Sequence, residues 1–220
     1  MIAEHGPDAV VAALTPILTD DRRQRIEDVL SARLSSLTVI LENLYDPHNG
    51  AAAIRSVEAL GLTSVQVIEA ATPFSAASGV TIGAQKWIDV HKHVSVRDCV
   101  QAVRDRGMSL CATVPGAGRT VADLDPSIPQ AVAFGNEHDG LTGELIAACD
   151  ESVSIPMFGF TRSFNLSVSV ALMMSELAAR RRGHLGGGDL DESTRARLRA
   201  RWYFLGVRGA GEIVAKHVSK

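Results

Sequence analysis

Apolar residues fall along this chain in short runs, most too short for a helix and too continuous for a half-exposed strand. Residues 37–41 (LTVIL) form an apolar, β-branched run that predicts a strand buried on both faces of a parallel sheet. Residues 64–68, 108–113 and 131–134 repeat the pattern, residues 152–155 predict a last short strand, and residues 87–90 another. Between these runs the spacing becomes helical. Ile26, Val29, Leu30 and Leu34 predict a helix over 20–33, small residues predict one over 50–60 closed by Gly61, and residues 94–106 another stopped by Gly107. Residues 142–149 and 166–182 predict two more, and 194–205 a basic helix carrying Trp202, Tyr203 and Phe204. Strand and helix alternate, so the expected class is α/β, a parallel sheet flanked by helices. The Gly-rich stretch 183–193 (GHLGGGDLDES) reads as a flexible linker. The expected organisation is a helical N-terminal extension over 1–36, a catalytic-type domain over 37–182, and a linker with basic helix over 183–220. No element is predicted for residues 1–19 or beyond Leu205.

Composition narrows the class only a little. Hydrophobic residues make up 46% and charged residues 21%, the proportions of an ordinary globular protein. No apolar run approaches the roughly 20 residues of a membrane span, and the start lacks the basic segment of a secretory signal. A cytoplasmic protein without membrane association is expected. Cys99, Cys111 and Cys149 are widely spaced, with no CxxC pair, which predicts reduced core thiols and no metal site. The net charge of −3 hides local clusters: Arg22, Arg23 and Arg25 near the front, and Arg180, Arg181, Arg182, Arg195, Arg197, Arg199, Arg201 and Arg208 near the back. Such patches set the field a polyanion meets, although solvated helix faces would look the same.

Three loops follow predicted strands, where an α/β sheet gathers its ligands. The first, residues 42–49 (ENLYDPHN), leads into a helix bearing Arg55 six residues after Asn49. A lone arginine there is usually a surface ion-pair partner, but eight polar or turn-forming residues before it favour a role. The second, residues 134–141 (FGNEHDGL), brackets an acidic turn between Gly135 and Gly140; it could bind Mg²⁺, cap a helix or position a substrate. The third, residues 155–165 (IPMFGFTRSFN), puts Ser163 and Asn165 at a helix N-terminus, where free N–H groups take a cap or an oxygen-bearing ligand. Its apolar flanks could enclose an adenine.

Together ENLYDPHNGAAAIRS, FGNEHDGL and IPMFGFTRSFNLSVSVALMMSE resemble the three motifs of the SPOUT-superfamily RNA 2′-O-ribose methyltransferases, in order and at compatible separations over residues 22–182. The front helix RRQRIEDVLSARL resembles that of the TrmH group, which methylates guanosine 18 in the tRNA D-loop. The resemblance implies a SPOUT fold whose C-terminal part is tied in a trefoil knot, a topology no periodicity argument reaches. It implies S-adenosylmethionine bound in that knot by Thr113, Gly135, Ile155 and Phe164, largely through backbone groups; the family usually has Leu where Phe164 stands. It also implies a polar catalytic cluster of Asn49, Arg55, Glu137, Ser163 and Asn165, no metal, and an obligate homodimer in which Arg55 faces the donor held by the partner.

The implied reaction is an attack of a ribose 2′-oxygen on a methyl carbon already activated by sulfonium, so the protein must align the nucleophile and ease its proton away. The resemblance gives the general-base role to Arg55, yet a guanidinium keeps its proton in proteins. Two versions follow: Arg55 loses its proton in special surroundings, or it stays cationic, binds the neighbouring phosphate and acidifies the hydroxyl. Asn49 would orient Arg55 and Glu137 would hold the active loop or the substrate. The arginine-rich ends would grip tRNA phosphates, while Trp202, Tyr203 and Phe204 either stack on bases or pack the last helix. Alternatives are rRNA or another tRNA position as substrate, a catalytically silent RNA-binding protein, and a Rossmann oxidoreductase. The last needs a GxGxxG turn after the first strand, which residues 42–49 lack.

Overall fold

The computed structural model describes residues 1–69 and 83–219. In chain order the helices and strands are α1 (Ile2–His5), α2 (Pro7–Leu14), α3 (Asp20–Ala32), β1 (Leu37–Glu42), α4 (Pro47–Ala59), β2 (Ser64–Ile68) and β3 (Asp89–His93). There follow α5 (Val96–Arg104), β4 (Ser109–Thr113), β5 (Gln130–Phe134), α6 (Gly143–Ala148), β6 (Glu151–Val153), α7 (Leu166–Leu185), α8 (Glu192–Gly206) and α9 (Ala210–Val218). The Thr-, Ser- and Gly-rich stretch after β2 falls outside the described residues. The chain forms two compact units, one of residues Leu34–Gly186 and one of Met1–Arg33 with the chain from Gly187 onward.

The larger unit is built on a six-stranded sheet in the order β3-β2-β1-β5-β4-β6, every pair parallel. The α/β class expected from the sequence is the observed one. The chain's order reverses between β1 and β5, so the crevice at the carboxyl ends of β1, β5, β4 and β6 is where a ligand site belongs. Alternate residues serve opposite faces. Val39, Leu41, Val65, Val132 and Phe134 meet Ile54, Val57, Met173 and Leu177 on one side. Ile40, Ile68, Ala131 and Ala133 meet Val96, Cys99, Val103 and Leu145 on the other. Double burial is why β1 reads as an unbroken apolar run. All three cysteines are free; burial pushes the Cys99 and Cys111 thiols up to about 12 and that of Cys149 to about 11.

Several boundaries differ from the sequence expectation. The strand expected at 87–90 runs from Asp89 to His93, because an edge position tolerates the polar His91-Lys92-His93 that a central strand would not. The strand expected at 152–155 is Glu151–Val153; Ile155 and Pro156 leave the sheet, and proline has no N–H for a ladder. Helix α4 starts at Pro47, since Asp46 accepts the His48 N–H at 2.8 Å as an N-cap. Helix α7 runs to Leu185 before Gly186 ends it with φ 75°. This shortens the expected linker, and it changes the reading of the arginines in the last turns. Arg180 donates to the Leu124 carbonyl at 2.9 Å, buried Arg181 to Ser36 Oγ at 2.9 Å and the Pro126 carbonyl at 2.8 Å, and Arg182 to the Leu60 carbonyl. These three tie α7 down and are not a free basic patch.

In the smaller unit α2 packs on α8 and α9, and α3 packs on α8. Trp202 and Tyr203 are buried, so they pack their helix and offer no face to a base. The Arg33 guanidinium lies 5.1 Å from the Trp202 ring centroid, and Arg199 meets Glu27 with Nη2 2.8 Å from Oε2. The Gly-rich segment is anchored here: Gly188 donates to the Ser31 carbonyl and Asp189 to the Arg33 carbonyl, both at 3.0 Å. A Cβ on Gly188 would lie 2.5 Å from the Arg33 carbonyl oxygen, so only glycine fits this approach. Helix α9 is an element the sequence reading did not predict.

Candidate active site

Four loops leave the carboxyl edge of the sheet, and those after β4, β5 and β6 line a cleft of about 660 Å³. After β1, Asn43 turns the chain with φ 49°, a left-handed conformation that asparagine tolerates. β1 itself ends in buried Glu42, which accepts from the Thr142 N–H at 2.7 Å and from its hydroxyl at 2.6 Å. The sequence reading put Glu42 in the first loop; an acid closing an apolar strand was the available signal. This pair fixes the exit of the loop after β5. The entry is fixed by Gly135, where a Cβ would lie 1.9 Å from the Gly140 carbonyl carbon. Between them the Asn136 side chain accepts from the His138 and Asp139 N–H groups at 2.9 and 2.8 Å. Asn136 therefore shapes its own loop, as short polar side chains do in turns. Among the described residues no group of three or more His, Cys, Asp or Glu side chains is placed to hold a metal ion.

The loop after β6 is different in kind. Among the described residues, no backbone hydrogen bond is made by residues 155–164, of which 155–157 and 161–164 line the cleft. Their N–H and C=O groups are available to a ligand, whereas buried backbone normally pairs. The loop ends at Asn165, which caps α7 by accepting the Ser167 N–H at 2.9 Å and the Ser167 hydroxyl at 2.7 Å. Its amide does a second job: Asn165 Nδ2 donates to Asn49 Oδ1 at 2.9 Å, and Asn49 Nδ2 donates to Glu137 Oε1 at 2.6 Å. Three segments distant in sequence, the first turn of α4, the loop after β5 and the N-terminus of α7, are thus joined in one relay, Ser167–Asn165–Asn49–Glu137.

Thr113, Gly135, Ile155 and Phe164, the residues expected to hold a cofactor, all line the cleft, together with Glu137 and Ser163. Thr113 Oγ1 donates to the Ala133 carbonyl at 2.8 Å, which fixes its side chain at the end of β4. The polar cluster is brought together only in part. Asn49 and Asn165 stand behind the cleft in the relay, and Ser163 lies in the cleft outside it. Arg55 is exposed on α4, lines no part of the cleft and makes no hydrogen bond or ion pair among the described residues. The expected Asn49–Arg55 contact is not made within the chain: both stand on α4, and a spacing of six residues sets them on different faces of the helix, with Asn49 turned to Glu137 and Asn165. The fourth loop, which brings Val114, Pro115 and Gly116 to the cleft, was missed. A Pro-Gly turn signals only a turn.

Fold and site define an α/β protein with a small-molecule cleft at the switch point of a parallel sheet, backed by a polar relay drawn from three segments. The chain belongs to the SpoU rRNA methylase family, whose model matches residues 36–175. It is 34% identical over 194 residues to a tRNA (guanosine(18)-2'-O)-methyltransferase of Borreliella burgdorferi, covering 88% of this chain and 89% of that one. It is 32% identical to the enzyme of the same name from Thermus thermophilus, covering 74% and 84%. Among solved structures, the A. aeolicus TrmH/SpoU tRNA modifying enzyme superposes with a TM-score of 0.73 at 24% identity, over 86% of this chain and 98% of that one. The SpoU methyltransferase AviRb of Streptomyces viridochromogenes, solved in complex with AdoMet, gives 0.61 at 28% identity, over 73% and 62%.

Proposed function

We propose that this chain transfers a methyl group from S-adenosylmethionine to a ribose 2′-oxygen of tRNA in the cytoplasm, at guanosine 18 of the D-loop. The observation that carries the proposal is the relay from Asn165 through Asn49 to Glu137, which puts residues of all three motifs beside one cleft. The substrate follows from two relatives of that activity that match most of this chain at 34% and 32% identity. The family's description names rRNA, so rRNA is the second reading.

The residues present fit the donor. The cleft is in the size range of cofactor sites, and the unpaired backbone of residues 155–164 can take the polar edge of an adenine. Thr113, Gly135, Ile155 and Phe164 would hold it. Bound there, S-adenosylmethionine supplies a methyl carbon already activated by a positive sulfur. What remains for the protein is alignment of the ribose and removal of its proton. Glu137 lies in the cleft with one carboxylate oxygen fixed by Asn49, which holds its loop in place. Arg55 stays cationic, binds a phosphate beside the target ribose and favours the ionised 2′-oxygen, whose proton is released to solvent water; a guanidinium is a poor base.

Because Arg55 stands outside its own chain's cleft, we assign it to the cleft of a second copy. Helices α4 and α7 pack together, and α7 exposes Val168 and Leu172, apolar surface suited to a homodimer contact. The same reading places the C-terminal part of the sheet in the knotted path that the family resemblance implies. Its support is that the loops after β5 and β6 converge on one cleft.

Transfer from labelled S-adenosylmethionine tests the proposal. A 2′-O-methylated link resists alkali, so label retained in alkali-stable dinucleotides from tRNA is the expected result. Label that appears only in rRNA selects the second reading, and label on bases refutes ribose methylation.

A further inference from the structure

The exposed aromatic rings of this protein are not scattered. Among the described residues they are Tyr45, Phe158, Phe160 and Phe164, and all four stand on loops at the carboxyl edge of the sheet. Phe158 is 98% exposed and Phe160 108%, on either side of Gly159. Phe134, Trp202 and Tyr203 by contrast are buried. Two rings wholly in water beside a ligand cleft are surface waiting for a partner.

The cleft does not supply that partner. Met157, Thr161 and Arg162 line it, but neither Phe158 nor Phe160 does, so both rings stand outside the donor's space. A second copy has other apolar surface to use, at Val168 and Leu172 on α7. An RNA strand has the matching need. A ribose 2′-oxygen reaches an enclosed methyl group only when its nucleotide leaves the stack, and the neighbouring bases then want planar apolar faces. The only charge in residues 155–165 is that of exposed Arg162, the sign that suits a phosphate. The acids Asp46 and Asp139 lie beside Tyr45 on the other loops, which steers the RNA backbone toward Arg162.

We propose that Phe158 and Phe160 form a stacking platform for unpaired bases flanking the methylated ribose, with Arg162 holding the phosphate between them. The platform rests on the functional reading above and specifies which part of the RNA this loop meets. Each ring then contributes about tenfold in RNA affinity, roughly 1.4 kcal/mol.

The test compares full-length wild type with Phe158→Ala, Phe160→Ala, the double variant and Phe160→Trp. The probe is a D-arm stem-loop RNA carrying 2-aminopurine beside the target nucleoside. Quenching of the fluorophore by wild type, about tenfold weaker binding for each Ala variant, and recovery with Trp are expected, at unchanged affinity for S-adenosylhomocysteine. Unchanged RNA affinity in the double variant overturns the platform. Loss of dimer mass in sedimentation assigns the rings to a second copy, and loss of S-adenosylhomocysteine binding assigns them to the donor; either overturns the proposal. Wild type that binds no donor fails the functional reading itself, and the platform with it.

Discussion

Replacing Gly135 with alanine is a severe test of the site because its consequence is set by geometry. The added Cβ would lie 1.9, 2.1 and 2.2 Å from the Gly140 carbonyl carbon, its oxygen and the Leu141 nitrogen. Ordinary contact begins near roughly 3.5 Å, so the facing strand of the loop must retreat by more than an ångström. All three atoms are backbone, and no rotamer change relieves them. Retreat pulls the Gly140 N–H from the Asn136 carbonyl, now at 3.1 Å, and strains the Thr142–Glu42 pair behind it. Overpacking of this kind costs about 1–3 kcal/mol or more, and two lost loop hydrogen bonds add about 1 kcal/mol each. A total of about 3–5 kcal/mol corresponds to a fall in melting temperature of roughly 6–20 °C for a domain of this size. The assay pairs thermal melting with calorimetric titration of S-adenosylhomocysteine, which should bind at least tenfold more weakly. Gly143→Ala is the control: its Cβ meets nothing within 4 Å at the first turn of α6, and it should melt no lower than wild type. A Gly135→Ala protein that melts and binds like wild type would refute the claim that this loop forms the donor pocket wall.

Arg55→Ala should abolish turnover with donor affinity unchanged and a stability change within about 0.5 kcal/mol, as expected for an exposed side chain with no partner among the described residues; near-wild-type turnover removes Arg55 from the mechanism. Asn49→Ala and Asn165→Ala should each lower kcat/KM while their double variant loses little more, since both cut one relay. A coupling energy of about 1 kcal/mol is expected in the double-mutant cycle, and strict additivity would dissolve the relay as a unit. Asp150 accepts from Arg104 at 2.7 Å on each oxygen, from Ser109 Oγ at 2.9 Å and from the Leu110 N–H at 2.8 Å. These bonds, Arg104's first, hold its carboxyl well below the usual carboxylate range. The unfolded chain therefore takes up this proton near pH ~4 while the folded chain resists. Its stabilisation is complete above that pH and is lost as pH falls below it, so Asp150→Asn should destabilise less at pH ~3 than at neutral pH in urea unfolding.

How far the sequence reaches can be judged residue by residue. β1 was legible because burial on both faces leaves apolar residues at 37–41 apart from Thr38, whose buried hydroxyl donates to the Ser64 carbonyl. β3 was displaced because its sheet-edge position admits His91 and Lys92, and α4 began early because Pro47 fits a first helical turn. The cleft-lining residues followed from motif positions, since loops at a sheet's carboxyl edge converge whatever their separation in sequence. Partners were another matter. Nothing in a string of arginines tells Arg181, buried against Ser36 and Pro126, from Arg55, which has no partner among the described residues. The relay was invisible for the same reason: it joins positions 49, 137 and 165, whose distances exist only once β1, β5 and α7 are in place.

Calorimetry of the wild-type protein with S-adenosylhomocysteine decides whether the loops after β4, β5 and β6 do make a donor pocket. Saturable binding at one site per chain, displaced by S-adenosylmethionine and accompanied by a raised melting temperature, is the predicted result. A titration without heat, and a melting temperature indifferent to either compound, would contradict it.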